Sequence, residues 1–160
     1  MSATASLEQT FNKAVQLYEN GQLKNARQCL EDIQRRQADI PDVLHLLSLV
    51  ALKSDRADEA VGHLEKAVRL TPESADLFDL LGGAFKKTGR VDDALKAFSQ
   101  AVTLDPGRVE AHYNLGNTLK ELERPEDAIT SYQRAVECNP SFADAYVNLG
   151  LTLKETGKFQ

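Results

Sequence analysis

Leu-Gly-Asn-Thr-Leu-Lys at residues 115–120 returns as Leu-Gly-Leu-Thr-Leu-Lys at residues 149–154, an offset of 34 residues. Prolines follow the same period, since Pro106 and Pro140 lie 34 residues apart and Pro72 lies one period earlier. Four alanines do the same: Ala26, Ala60, Ala94 and Ala128. A constant period of this length predicts an array of small repeated units, each of which completes its hydrophobic core by packing on its neighbours.

The period divides the chain into four complete units at residues 7–40, 41–74, 75–108 and 109–142, with a partial unit at 143–160. Within a unit, apolar residues at positions 4, 7, 8 and 11 form one helical stripe, and those at positions 20, 21, 24, 27 and 28 form a second. Each unit is therefore predicted to contain two antiparallel amphipathic helices. Residues 1–6 precede the first unit and are expected to form a disordered leader.

Small residues mark the turns and the helix contacts of each unit. Gly21, Gly89 and Gly157 occupy position 15, where glycine accepts the left-handed conformation that ends a helix. Asp55 and Glu123 stand at that position in the other units, and the glutamate is the less favourable substitute. Position 8 carries alanine, serine or glycine, which allows the two helices of a unit to approach closely.

These residues resemble the pattern of the tetratricopeptide repeat over residues 7–160. The match is densest in the third and fourth units, where Tyr113-Asn114-Leu115-Gly116 is followed by Ala128, Tyr132 and Pro140. The first unit departs most, because Lys13 replaces the usual leucine. The resemblance implies an all-α fold: a right-handed α-solenoid of antiparallel helix pairs, wound as a superhelix around a concave groove.

Composition excludes several classes of partner. The 19 basic and 24 acidic residues give a formal charge of −5, so the chain lacks the basic excess that nucleic-acid phosphates attract, and no nucleic-acid partner is expected. The longest apolar run, residues 44–52, is far shorter than the roughly 20 residues of a membrane helix, so no membrane association is expected. Cys29 and Cys138 have no disulfide or zinc spacing, which favours a reducing, cytoplasmic location.

No arrangement of residues predicts catalysis, a cofactor or a metal. His45, His63 and His112 fall at different positions of different units, so the repeat brings no two of them to one place. The Gly82-Gly83 pair lies inside a predicted helix and lacks the Gly-Lys-Ser/Thr that completes a phosphate loop. The chain is therefore predicted not to be an enzyme.

The resemblance implies that the first helix of each unit lines the groove and that a protein or peptide ligand binds there. Asn114 and Asn148 occupy the same position of successive units, so their amides could grip a peptide backbone. A similar asparagine ladder occurs in the arrays of O-linked N-acetylglucosamine transferases, although Leu46 and Leu80 interrupt it here. The alternative interpretation is that these are ordinary solvated residues. The candidate groove residues are Asn12, His45, Asp79, Tyr113, Asn114, Asn117 and Asn148.

Two classes of function follow from the resemblance. The chain is a protein-interaction scaffold, or it is the N-terminal array that recruits substrates to a larger enzyme. In the second case the enzyme would be a glycosyltransferase or a sulfotransferase, and every catalytic residue would lie downstream of Gln160.

The partial unit contains one predicted helix, whose Tyr146, Leu149 and Leu153 would normally face a second helix of the same unit. Terminal units of repeat arrays require a polar outer face. Two interpretations stay open: the chain is cut from a longer protein, or another molecule covers this face. We expect a homodimer through residues 143–160.

Overall fold

A computed structural model of the protein describes the backbone of residues 3–157 and the side chains of residues 6–157. Within this range the chain forms helices and no strand. The helices are α1 (Ala3–Glu19), α2 (Leu23–Arg36), α3 (Pro41–Lys53), α4 (Ala57–Leu70), α5 (Ala75–Lys87), α6 (Val91–Leu104), α7 (Val109–Glu121), α8 (Pro125–Cys138) and α9 (Ala143–Glu155). The prediction of two helices in each complete unit is confirmed.

The first helix is longer than the repeat pattern predicts. Residues 3–6, expected to belong to a disordered leader, form the first turn of α1. Alanine has the highest helix propensity of all residues, and Ala3 and Ala5 therefore extend the helix at little cost. The expectation for residues 1 and 2 falls outside the described residues.

The chain divides into two compact units, residues 1–73 and residues 74–160. In the first, α1 to α4 pack as consecutive helices around a core that includes Leu30, Ile33 and Leu47. In the second, α5 to α9 pack in the same consecutive way around a core that includes Leu119, Ala128 and Tyr132. The expectation that residues 7–160 form a single array stays a prediction.

The turns inside the helix pairs have the predicted backbone conformation. Gly21, Gly89 and Gly157 have φ angles of 73°, 74° and 69°. Asp55 and Glu123 adopt the same left-handed conformation, each with a φ of 57°. A left-handed residue at this point lets the chain reverse directly after a helix, so the four described turns between paired helices share one geometry, and Gly157 has the same conformation after α9.

The small residues of position 8 lie beneath the large residues of position 24. A Cβ atom added at Gly82 would lie 2.6 Å from the ring of Phe98, and one added at Gly116 would lie 2.5 Å from the ring of Tyr132. Such distances are impossible for real atoms, so in these two helix pairs only glycine allows the ring to reach the facing helix.

Candidate functional site

The candidate groove residues are divided between the two compact units. Asn12 is exposed on α1 and His45 is half-buried on α3, both in the first unit. The other five lie on α5, α7 and α9 of the second unit and are all half-buried: Asp79, Tyr113, Asn114, Asn117 and Asn148. The compact unit of residues 74–160 therefore carries five of the seven candidate groove residues.

Asp79 is the centre of a polar cluster between α5 and the start of α7. Its carboxylate accepts a hydrogen bond of 3.2 Å from the Asn114 amide and one of 3.5 Å from Nε of Arg108. Arg108 also pairs with Asp76. Burial lowers the pKa of Arg108, but the two carboxylates raise it by more, and the net shift is upward. The Asp79 charge is thus compensated by a fixed guanidinium.

A second polar cluster joins α7, α8 and α9. The Asn148 amide donates one hydrogen bond of 3.2 Å to the Tyr113 hydroxyl and one of 2.9 Å to Oδ1 of Asn117. The same Oδ1 accepts a bond of 2.7 Å from the Tyr132 hydroxyl. Burial raises the pKa of Tyr132 to about 12. The tyrosine therefore keeps its proton and remains a donor at neutral pH.

Neighbouring first helices are tied together at a constant offset of 35 residues. Asp79 with Asn114, and Tyr113 with Asn148, follow this offset, which joins position 5 of one repeat to position 6 of the next. Two ion pairs follow it as well, Lys86 with Glu121 and Lys120 with Glu155. In the compact unit of residues 1–73, the Lys53 ammonium lies 4.0 Å from the ring centre of Tyr18, which is again 35 residues away. The predicted groove residues thus also serve as lateral links between repeats.

Three residues of this site were not predicted from the sequence. Arg108 directly precedes α7 and its side chain pairs with Asp76 and Asp79, and Phe142 precedes α9, where its ring meets Tyr113 edge-on at 5.1 Å. Tyr132 was predicted only as a packing residue, but its hydroxyl reaches the groove amide of Asn117. The tyrosine at position 24 was the sequence signal for this contact, because a buried tyrosine hydroxyl usually has a hydrogen-bond partner.

Two side-chain groups of the asparagines in the second polar cluster have no hydrogen-bond partner within the protein. Among the side chains of residues 6–157, the Asn117 amide nitrogen donates no hydrogen bond, and the Asn148 carbonyl oxygen accepts none. No buried side-chain nitrogen or oxygen in this range lacks a partner, so these groups face solvent. Both a donor and an acceptor are therefore available to a ligand on α7 and α9.

The predicted self-association residues differ in exposure. Tyr146 is 48% exposed. Leu149 is half-buried and packs against the cluster of Leu119, Ala128 and Tyr132, and Leu153 is also half-buried. The largest exposed apolar side chains of α9 include two that the prediction omitted, Val147 at 58% and Leu151 at 49%.

The described residues contain no group of three histidine, cysteine, aspartate or glutamate side chains that could hold a metal ion. In residues 3–157, no helix is long and apolar enough to cross a membrane.

Comparison with solved structures shows the fold. Two crystal structures of MamA align with TM-scores of 0.87 and 0.90, at 22% and 21% identity; they cover 91% and 95% of this chain, and 85% and 83% of the MamA chains. The structure of YrrB, described as a TPR protein with an unusual peptide-binding site, aligns with a TM-score of 0.84 at 24% identity; it covers 98% of this chain and 85% of YrrB. No curated protein sequence matches the chain.

Family models match most of the length. Two tetratricopeptide repeat models match residues 80–141 and 131–160, and the model of the bacterial transcriptional activator domain matches residues 2–104. The repeat period, the helix pairs and these matches agree, and the predicted all-α solenoid fold is confirmed. The chain belongs to the tetratricopeptide repeat family and, through residues 2–104, to the bacterial transcriptional activator domain family.

Proposed function

We propose that the chain is a non-catalytic interaction scaffold that binds an extended segment of another protein along α5, α7 and α9. The observation that carries this proposal is the cluster of Asn148, Asn117 and Tyr113, whose side chains hold one another while leaving a donor and an acceptor open to solvent. Side chains that are already ordered lose little conformational entropy when a ligand binds. The cluster is therefore preorganised for recognition.

The chemistry of the open groups suits a peptide backbone. An asparagine amide offers an N–H donor and a carbonyl acceptor, which match the C=O and N–H groups of an extended chain. Val147 and Leu151 lie one turn apart on α9 and are largely exposed beside Asn148. We expect the amides to bind the backbone of the ligand while these two residues contact one of its apolar side chains.

A peptide-binding measurement tests this proposal. Peptides selected from a random displayed library supply the probes, and fluorescence anisotropy gives their affinities for the wild type and for variants. Replacing Asn117 and Asn148 together by alanine is expected to weaken binding by about tenfold or more, because the open donor and the open acceptor are both lost. Gln133→Ala is the matched control, since it removes an exposed amide from α8 and is expected to change nothing.

Two further readouts make this result decisive. Circular dichroism must show the same helix content in every variant, so that a loss of binding reports on contacts rather than on folding. Side-chain amide NMR signals of Asn114, Asn117 and Asn148 are expected to shift when peptide is added. Equal affinities for the wild type and the double variant would refute binding at this face.

The match of residues 2–104 to the bacterial transcriptional activator domain favours a second candidate function. In this case the chain is the protein-contacting part of a bacterial transcription regulator. Its formal charge of −5 favours a protein contact over a DNA contact. Transcript profiles of a strain that lacks the gene test this candidate, and unchanged profiles would reject it.

The alternative from the sequence, a substrate-recruiting array of a glycosyltransferase or sulfotransferase, uses the same groove and stays a prediction. The coding sequence downstream of Gln160 tests it directly.

A further inference from the structure

In two repeats, the residue at position 34 contacts position 5 on the first helix of the same repeat. Arg108, at position 34 of the third repeat, directly precedes α7, and its guanidinium pairs with Asp76 and Asp79 on α5. Phe142, at position 34 of the fourth repeat, directly precedes α9, and its ring meets Tyr113 on α7 edge-on at 5.1 Å. The two residues therefore have the same place in their repeats, but one carries a cation and the other an aromatic ring.

This exchange leaves one carboxylate without its cation. Position 2 of the third repeat is Asp76, which binds Arg108, whereas position 2 of the fourth repeat is Glu110. Arg108 lies two residues before Glu110 along the chain, but its guanidinium is already held by Asp76 and Asp79. In the described part of the chain, the exposed Glu110 carboxylate makes no ion pair and no hydrogen bond. The fourth repeat thus keeps the acid of position 2 and has Phe142 in place of the arginine.

The aromatic pair lies beside this carboxylate. Glu110 is one turn before Tyr113 on the same side of α7, so the carboxylate is a neighbour of the ring that Phe142 contacts. The Tyr113 ring is held in position, since its hydroxyl accepts a hydrogen bond from the Asn148 amide. Both rings are half-buried, which leaves part of each ring open to solvent. A carboxylate next to open aromatic rings attracts a cation through an ion pair and a cation–π contact together.

We propose that Glu110, Tyr113 and Phe142 form an arginine site, which binds an arginine side chain of the segment taken up by the groove. This inference rests on the proposed function and names the chemistry of its ligand. The choice of arginine follows from the preceding repeat, where Arg108 fills the equivalent place from within the chain. A planar guanidinium pairs with a carboxylate and also stacks on a ring, whereas the lysine ammonium is a compact and strongly hydrated charge. The formal charge of −5 likewise favours a basic segment.

The arginine site and the open asparagine groups lie on the same helix. Seven residues, or about 11 Å of helix, separate Glu110 from Asn117 on α7, and Tyr113 lies between them. Asn148 joins the two regions, because its amide bonds both the Tyr113 hydroxyl and Oδ1 of Asn117. One extended segment is therefore expected to place an arginine at the start of α7 and its adjoining backbone at the amides.

Peptide selection tests the charge preference. Peptides selected on the wild type from a random displayed library are expected to be enriched in arginine. Selection on Glu110→Gln is expected to lose this enrichment, because the variant keeps the size of the side chain and removes its charge. Asp92→Asn is the matched control: it removes an exposed carboxylate from the first turn of α6 and is expected to preserve the enrichment.

Fluorescence anisotropy with the tightest selected peptide assigns the preference to the proposed contact. Replacing its arginine by citrulline, a neutral side chain of the same shape, is expected to weaken binding to the wild type by about tenfold and to leave binding to Glu110→Gln unchanged. Phe142→Leu, which removes the ring, is expected to weaken binding of the arginine peptide more than that of the citrulline peptide. Circular dichroism checks that each variant has the helix content of the wild type.

A further variant copies the preceding repeat. Phe142→Arg is expected to supply an internal guanidinium to Glu110, as Arg108 does to Asp76, and thereby to abolish the preference for the arginine peptide over the citrulline peptide. Equal losses on citrulline replacement in the wild type and in Glu110→Gln would overturn the arginine site.

The outcomes separate this inference from the proposed function. Selected peptides that depend on Asn117 and Asn148 but show no enrichment in arginine would overturn the arginine site and leave the proposed function intact. A library that yields no peptide for this groove would overturn both.

Discussion

At the scale of single residues, the packing of this protein is most sensitive where glycine lies beneath a ring. Gly82 and Gly83 are neighbours on α5, but only Gly82 contacts Phe98. The backbone of both is helical, and their environments differ only in what surrounds the missing side chain. Gly82 therefore makes room for the Phe98 ring, whereas Gly83 has no side-chain contact that requires glycine.

Alanine substitution at these two glycines is expected to have opposite effects. Gly82→Ala places a methyl group 2.6 Å from the Phe98 ring and should lower the free energy of unfolding by about 1–3 kcal/mol. Gly83→Ala adds its methyl in open space and should raise that free energy by about 0.5–1 kcal/mol, because alanine favours the helix. Urea unfolding of both variants provides the measurement, and equal effects would show that the ring contact is not tight.

The raised pKa of Tyr132 predicts a loss of stability at alkaline pH. The group has an ordinary pKa of 10.0 and a pKa of about 12 in the folded chain, because burial disfavours the phenolate. Its stabilising contribution is complete below pH 10 and is lost as the pH rises through 12.

Ultraviolet absorbance should therefore show a tyrosine ionisation near pH 12 in the wild type. That step should disappear in Tyr132→Phe, and the alkaline fall in unfolding free energy should become shallower. Tyr146→Phe, which removes an exposed ring hydroxyl, serves as the control. Retention of the step in Tyr132→Phe would assign it to another tyrosine.

At the scale of helices, lateral links at an offset of 35 residues join α1 to α3, α5 to α7 and α7 to α9. The links differ in burial. The Asp79 side chain is 14% exposed, while the Glu155 side chain, which pairs with Lys120, is 56% exposed. Solvent screens the second pair far more strongly than the first.

This difference in burial predicts unequal costs of removing the two carboxylates. Asp79→Ala should lower the free energy of unfolding by about 1–3 kcal/mol, because Arg108 and Asn114 lose a shared partner in a half-buried site. Glu155→Ala should change it by at most about 0.5 kcal/mol, since the ion pair is solvated. Urea unfolding curves compare the two, and a larger effect at Glu155 would contradict the assigned roles.

At the scale of the whole molecule, stability comes from neighbouring helices packed in sequence. Repeat proteins of this kind distribute their stability over nearest-neighbour contacts rather than in one central core. The compact unit of residues 74–160 contains five consecutive helices and its own apolar cluster around Tyr132. Such a unit has the contacts that it needs to fold alone.

A fragment of residues 74–160 is therefore expected to be helical and to unfold cooperatively. The fragment of residues 1–73 contains four helices rather than five, and so has fewer contacts between neighbouring helices; it should unfold at a lower urea concentration. Circular dichroism during urea titration measures both fragments. A non-cooperative transition in the longer fragment would show that its contacts do not suffice.

The repeat period alone predicted the helix pairs, the left-handed turns and the family. These features depend on local preferences and on packing between residues of one repeat, and such preferences recur visibly at a spacing of 34 residues. Glu123 shows the strength of this information: it takes the left-handed φ of 57° that the neighbouring repeats assign to glycine. Position in the repeat therefore outweighed the preference of the residue.

The partners of the groove residues required the folded chain. From the sequence, Asn114 and Asn148 were a row of amides that could face a ligand, but in the structure they bind Asp79, Tyr113 and Asn117. These bonds join residues 31 and 35 positions apart, and whether they form depends on how far each first helix is shifted along the next. That shift arises from the combined packing of several helices, and no residue pattern within one repeat specifies it.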